Sequence, residues 1–206
     1  MHINAIAIDA AFANMGLARV RLEQTPKGWT VACLDLQLVK TESHDRKVVR
    51  KSSDDLRRAQ ELTFALRTFA AGSTIAFAEV PSGSQSAAAA RALGIAVGVL
   101  GSCPLPIIEV SPMEVKRLFG ANRKVGKDEI IDWAVKEWPK APWLRAHNRK
   151  TGSIVKANEH LADAMAVVKA GILTPEFQRM VTLYATSSPD MQRPASSSKP
   201  RVRLQV

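Results

Sequence analysis

The chain has 206 residues, 46% hydrophobic and 23% charged, the balance of a folded globular protein with enough length for one sizeable core. Its 29 Lys and Arg outnumber 19 Asp and Glu, and the net charge of +10 calls for a polyanionic partner, nucleic acid before an anionic membrane surface. No apolar run reaches the ~18–20 residues of a membrane span, the start MHINAIAIDA lacks the basic, long apolar character of a signal peptide, and two cysteines, Cys33 and Cys103, are too few for a disulfide framework or a four-thiolate zinc site.

Residues 3–9 (INAIAID) are a short β-branched apolar run, expected as a strand that ends at Asp9. AFANMG turns the chain into a second strand, Leu17–Leu22, and Pro26-Lys27-Gly28 turns it into a third, Trp29–Val39. Residues 40–53 are polar and basic. Ser53 or Asp54 is the expected N-cap of a helix carrying Leu56, Ala59, Leu62, Leu66 and Phe69 at helical spacing, which Gly72 ends.

Thr74–Val80 reads as a buried fourth strand, and the loop from Pro81 to Ser84 leads to an Ala/Gly-rich helix, Gln85–Leu100. Pro106–Val110 is a fifth strand, Met113–Phe119 a short helix, Gly120–Gly126 a basic loop and Lys127–Trp138 a helix. An irregular basic stretch, residues 139–156, precedes a helix Asn158–Ala170 ended by Gly171. A last helix spans Pro175–Tyr184, and residues 185–206, rich in Ser, Pro and Arg, read as a disordered tail after a domain spanning 1–184. Three antiparallel strands followed by strands reached through helical crossovers predict an α/β domain. Its sheet is mixed and five-stranded, with helices on both faces and the later strands parallel to the first.

Two carboxylates stand inside apolar strand ends: Asp9 in IAIDAAFA and Glu79 in IAFAEVP. A buried carboxylate must be paired, protonated or bound to a cation. Either alone reads as a solvent-facing strand-end acid; the two together favour a shared cation. In ANEHLADAMAVVKAG, His160 and Asp163 share a helical face at i,i+3, residue types suited to ligating a divalent ion or to general-base work beside one. Glu159 and Asp163, at i,i+4, form a competing pair for the same role.

The first strand ending in Asp within IDAAFANMG, the hairpin after it, the later strand ending Glu-Val-Pro and the helix His-Leu-Ala-Asp-Ala-Met-Ala together resemble the RNase H-like superfamily. Their order is similar to that of the RuvC-type Holliday junction resolvases, over roughly residues 3–171. The resemblance places His160 and Asp163 on ligand positions. Through Ser111-Pro112-Met113-Glu114-Val115-Lys116 and Arg123-Lys124-Val125-Gly126-Lys127, it matches Lys116 and Lys127 to two lysines near the metal site. It departs from the family in reading Asp-Ala-Ala-Phe for Asp-Pro-Gly, and in a short polar loop, PSGSQS, without the aromatic that wedges into the junction in bacterial members. Residues 40–53 and 139–156 are more basic than their bacterial counterparts. These departures fit a divergent member, a phage-encoded one among the options.

The resemblance implies an endonuclease that resolves four-way junctions by paired nicks, leaving a 5′-phosphate and a 3′-hydroxyl. Asp9, Glu79, His160 and Asp163 would hold two Mg²⁺ or Mn²⁺ ions, and Lys116 or Lys127 would neutralise the scissile phosphate. From Lys116 to Lys156 there are eleven Lys/Arg against four acids. Arg123, Lys124, Arg149 and Lys150 there, with Arg46, Lys47, Arg50 and Lys51 earlier and Arg57 and Arg58 extending that cluster, are expected to contact DNA phosphates. Trp133 and Trp138 read as core, and Trp143 as a staple of its loop. A junction with two-fold character implies a homodimer, for which the small residues Ala87, Ala90, Gly94 and Gly98, with Arg91, offer a flat helical seam. No membrane and no small-molecule cofactor are expected, and the setting is the cytoplasm of a bacterium or phage-infected host. Alternatives on the same fold are a flap or fork endonuclease and an RNase H-type enzyme; outside it stands a non-catalytic basic nucleic-acid-binding protein.

Overall fold

The computed structural model describes residues 1–44, 49–81, 83, 86–120, 125–146 and 152–187. Its five strands are β1 (His2–Asp9), β2 (Asn14–Thr25), β3 (Gly28–Lys40), β4 (Ile75–Glu79) and β5 (Ile107–Glu109), in the spatial order β3-β2-β1-β4-β5. β1 pairs antiparallel with β2 and β2 with β3; β4 lies parallel to β1 and β5 to β4. This is the mixed five-stranded sheet the strand pattern predicts. β1 and β4 are central strands covered on both faces, which is why they read as continuous apolar runs rather than alternating ones.

The helices are α1 (Lys51–Ala70), α2 (Ala87–Gly101), α3 (Pro112–Arg117), α4 (Lys127–Glu137), α5 (Glu159–Gly171, after a 3₁₀ turn at Lys156–Asn158) and α6 (Pro175–Ser187). None among the described residues is long and apolar enough to cross a membrane. α1 and α2 cover one face, where Leu62, Leu66, Phe69, Val99 and Leu100 meet Ile6, Ile8, Leu17 and Ala76. On the other face α4, α5 and α6 pack Ile131, Trp138, Leu161, Met165 and Phe177 against Ala5, Ala7, Ala18 and Phe77. α5 is buried nearly all round, nine of its thirteen residues being inaccessible. Four of those nine are alanines, which let the helix lie close to the sheet.

Three boundaries differ from the sequence expectation. α1 starts at Lys51 behind Arg50, with no side-chain cap. Asp54 lies one turn inside the helix. Arg57, at i+3, donates to it from Nη2 (2.7 Å) and Nε (3.2 Å), and the backbone N–H of His44 donates at 3.3 Å. Pairing with Arg57, which holds its carboxyl below the ordinary range, replaces the capping role. Gly72, at φ 79°, does end α1. Gly171 does not end α5 in that way: it is the last helical residue, and a Cβ there would lie 2.2 Å from Cδ1 of Phe77. Its smallness serves contact with the sheet. α6 runs to Ser187, three residues beyond the expected helix end at Tyr184; residues 188–206 lie outside the described residues.

Candidate active site

Strand alternation decides which acids can meet. Along β1, Ala5 and Ala7 face α5 while Ile6 and Ile8 face α1. Along β4, Phe77 faces α5 while Ala76 and Ala78 face α1. Asp9 and Glu79 continue the odd-numbered rows, so both carboxylates emerge on the α5 side. They are register partners across the parallel β1–β4 pair, at the C-terminal ends of both strands. On the other side of Asp9, its register partner in β2 is Gly16.

Gly16 is the gap through which α5 reaches the acids. A Cβ at that position would stand 2.0 Å from the carbonyl oxygen of His160 and 2.5 Å from its carbonyl carbon. The first turn of α5 therefore lies directly on β2 beside Asp9. There the Nδ1–H of His160 donates to Asp9 Oδ2 at 2.8 Å, joining residues 151 positions apart in the chain. An isolated glycine inside a strand is the sequence signal for such a close backbone approach, and sequence reasoning passed over it.

Asp163, Glu79 and His160 carry the mark of this crowding. Burial, with the charge of Asp9 adding to it, pushes the Asp163 carboxyl up to about 7. Glu79 is also raised, first by burial and then by Asp9, against the opposing charge of Lys116. The hydrogen bond to Asp9 raises the His160 pKa, overcoming the effect of burial. The site thus concentrates more negative charge than its surroundings neutralise. Three carboxylates of hard oxygen character beside one imidazole make a donor set suited to divalent magnesium or manganese. Among the described residues, however, no group of three or more His, Cys, Asp or Glu side chains is already disposed to hold a metal ion. His160 spends Nδ1 on Asp9, and its Nε2 lies 3.4 Å from Glu159 Oε1.

Of the two acid pairs open on α5, rotation of the helix separates the roles. His160 and Asp163 face Asp9, whereas Glu159 turns to Lys127, whose Nζ lies 2.9 Å from Oε2. That ion pair lowers the Glu159 pKa and raises that of Lys127. Lys127 opens α4, and its charge also acts on Asp163 and Asp9. Lys116, on α3, acts on Glu79. α3 is held by a reciprocal cap: Ser111 Oγ accepts from the Glu114 N–H, and Glu114 Oε2 accepts from the Ser111 N–H. Both lysines thus border the acidic cluster.

The basic segments are only partly in view. Arg50 and Lys51 are exposed at the start of α1; Arg46, Lys47, Arg123, Lys124, Arg149 and Lys150 lie outside the described residues. Arg57 and Arg58 do not extend a phosphate-binding cluster. Arg57 is engaged by Asp54 and Glu61. Arg58 is buried 3.8 Å over the Phe12 ring, with its Nη2 donating to Phe12 O and Thr41 O at 3.3 Å and its Nε to Thr41 Oγ1 at 3.0 Å. It braces the loop that follows Asp9. Trp143 is a buried staple, its Nε1–H donating to Trp138 O at 2.9 Å. Asn158, fully buried, accepts from the Leu144 N–H and donates to Leu144 O and Val155 O, each within 2.8–2.9 Å. It thereby fastens Leu144 and Val155 to the residue before Glu159.

No protein-family model and no curated protein matches the sequence. Solved structures do match the fold. A Thermus thermophilus RuvC in complex with a Holliday junction substrate superposes with a TM-score of 0.58 at 18% identity, covering 87% of this chain and 97% of that one. The fold is that of RuvC. A second Thermus thermophilus RuvC structure gives a TM-score of 0.55 at 20% identity over 88% of this chain and 98% of that one. RuvC thus matches this chain over nearly its own whole length.

Proposed function

We propose that this protein is a structure-selective DNA endonuclease that resolves four-way junctions as a homodimer. The observation that carries the reading is the convergence of Asp9, Glu79 and Asp163 on one face of a RuvC fold, at the ends of adjacent parallel strands, with two carboxyls raised by burial and mutual repulsion. Such a cluster is costly unless a cation offsets it.

Asp9, Glu79, Asp163 and His160 would hold two Mg²⁺ or Mn²⁺ ions. When bound, such ions supply a hydroxide at neutral pH and stabilise the leaving 3′-oxygen, so the products carry 5′-phosphate and 3′-hydroxyl ends. Asp9 orients His160 through Nδ1. Lys116 and Lys127, bordering the acids, offset charge on the scissile phosphate. The excess of basic residues between 116 and 156 holds the DNA arms by phosphate contacts. On α2, Ala87, Ala90, Arg91, Gly94 and Gly98 face outward, and nothing lies within 4 Å of a Cβ position at Gly94 or Gly98. That flat face supports a dimer in which a second copy approaches closely.

The deciding experiment compares cleavage of a synthetic four-way junction by wild type, Asp9→Asn and Glu79→Gln, with Mg²⁺ or Mn²⁺, alongside flap, fork and RNA–DNA hybrid substrates at equal salt. Wild type is expected to nick the junction symmetrically, and each variant to lose at least about 10²-fold in rate while still binding it. Binding without cleavage under any divalent ion, or faster cutting of flaps or hybrids than of junctions, overturns the proposal.

A further inference from the structure

We propose that Arg58 is a positioning residue for Asp9, acting through the turn that joins β1 to β2. The inference rests on the endonuclease reading for its kinetic consequence and on geometry for the contacts themselves. Asp9 is the last residue of β1, and Ala10-Ala11-Phe12-Ala13 carry the chain to Asn14 at the start of β2. That turn holds neither Pro nor Gly, so no residue in it fixes the backbone by its own stereochemistry. The hold comes from other elements. The Arg58 guanidinium, on α1, lies 3.8 Å from the centroid of the Phe12 ring, and its Nη2 donates to Phe12 O at 3.3 Å. Thr41, the residue after β3, donates from Oγ1 to the same carbonyl at 2.6 Å and from its backbone N–H to Ala13 O at 2.9 Å. Arg58 in turn holds Thr41, through Nε to Oγ1 at 3.0 Å and through Nη2 to its carbonyl at 3.3 Å.

Phe12, Thr41 and Arg58 thus close a triangle drawn from the turn, the end of β3 and α1, and all three residues are buried. The triangle lies on the α1 face of the sheet, where Phe12 shares a core cluster with Ile6, Ile8, Leu62 and Leu66. On the opposite face His160 bonds the Asp9 carboxylate. Asp9 is therefore gripped from both sides of the sheet: α5 holds its side chain, and α1 holds the backbone that leaves it. A site carboxylate must stand within about 0.5 Å of its working position, and the residues that support it set that tolerance. Arginine suits the task. Its planar fork stacks on the ring while bonding two carbonyls and a hydroxyl at once, which the compact ammonium of a lysine cannot do.

The test uses the full-length protein with Arg58→Met, Arg58→Lys and Thr41→Val, and with Val99→Ala as a packing control from the same core cluster. Junction affinity, turnover under saturating junction, the Mg²⁺ concentration for half-maximal turnover and the thermal midpoint are measured for each, with hydrogen exchange followed at the Thr41 amide. Arg58→Met is expected to lower turnover about 10–100-fold and to raise the half-saturating Mg²⁺ concentration, with junction affinity unchanged. Arg58→Lys recovers part of that loss. Thr41→Val, which removes only the hydroxyl, also lowers turnover and carries the test if Arg58→Met does not fold. The Thr41 N–H, bonded to Ala13 O, exchanges at least about 10-fold faster in Arg58→Met. Val99→Ala lowers the midpoint but leaves turnover and Thr41 exchange near wild type. Wild-type turnover in both Arg58→Met and Thr41→Val, an equal loss in Val99→Ala, a turnover loss matched by lost junction affinity, or unmoved Thr41 exchange overturns the proposal. Wild type that binds junctions but never cuts them sinks the endonuclease reading, and the exchange comparison then still decides whether Arg58 holds the turn.

Discussion

Replacing Gly16 with alanine adds one methyl group at the point where α5 rests on β2. Ordinary van der Waals contact begins near 3.4 Å, and the new Cβ would meet the His160 carbonyl oxygen at 2.0 Å. The obstacle is backbone, so no side chain can swing aside. Relief requires the first turn of α5 to withdraw by roughly 1.4 Å, more than the 2.8 Å bond between His160 and Asp9 can stretch before it fails at about 3.5 Å. Displacement of about 1 Å at a catalytic constellation costs on the order of 10²-fold in rate, and overpacking of this kind costs about 1–3 kcal/mol. Gly16→Ala is therefore expected to lower the thermal midpoint by about 3–10 °C and junction cleavage by about 10²-fold. The informative control is Gly171→Ala, whose Cβ would meet the Phe77 ring at 2.2 Å. It overpacks the same helix about 16 Å from the site. Both variants are measured by thermal denaturation and junction cleavage, and only Gly16→Ala should lose activity out of proportion to stability. Wild-type cleavage by Gly16→Ala, or equal loss in both, refutes the argument.

The raised Asp163 carboxyl has a signed consequence for stability without divalent ions. The folded protein keeps that proton up to about 7, while an unfolded Asp releases it near 3.9, so this group's contribution is greatest below pH ~4 and declines as pH rises to about 7. Asp163→Asn should therefore gain on wild type across that interval, reaching a few kcal/mol at pH 8, and denaturant melts of both proteins without divalent ions from pH 4 to 8 measure the difference; a constant offset would contradict the burial. Arg58→Met leaves the Thr41 carbonyl without its guanidinium donor, while Phe12 O keeps the Thr41 hydroxyl, and should cost about 1–3 kcal/mol in urea unfolding. Asn158→Ala strips the Leu144 N–H of its partner and takes one of two donors from each of the Leu144 and Val155 carbonyls, which keep the backbone N–H of Val155 and of residue 158. It should cost about 2–3 kcal/mol and open the 139–156 segment to proteolysis well before global unfolding.

Much of this site can be read from residues alone because its chemistry sits on regular elements. Asp9 and Glu79 stand out as charges closing apolar strands, and period-two alternation carries both to one face. The i,i+3 spacing of His160 and Asp163 puts them on one stripe of a helix. What stays hidden depends on contacts between distant segments. Whether Glu159 or His160 turns to Asp9 is decided by the docking rotation of α5, which local spacing leaves open. Gly16 and Gly171 look like an ordinary strand glycine and an ordinary helix stop until the backbone and ring pressed against them are seen. Arg57 and Arg58 look like free positive charge until Asp54, Glu61 and Phe12 are found to engage them. The pattern of charges identifies the kind of partner; tertiary packing selects which charges remain available to it.

α5 has a consequence for how the protein comes into being. It is the element that closes the sheet face over Ala5, Ala7 and Phe77, and it also delivers His160 and Asp163. During synthesis β1 and β4 emerge long before it, so the strands that bear Asp9 and Glu79 wait with one apolar face uncovered. Burial of that face and assembly of the acids are then a single event, completed only when the chain past residue 171 is free to dock. A nascent or truncated chain cannot possess the cluster without the core. On the endonuclease reading, a ribosome-bound fragment is harmless to the DNA around it, and the last third of the chain acts as the safety catch.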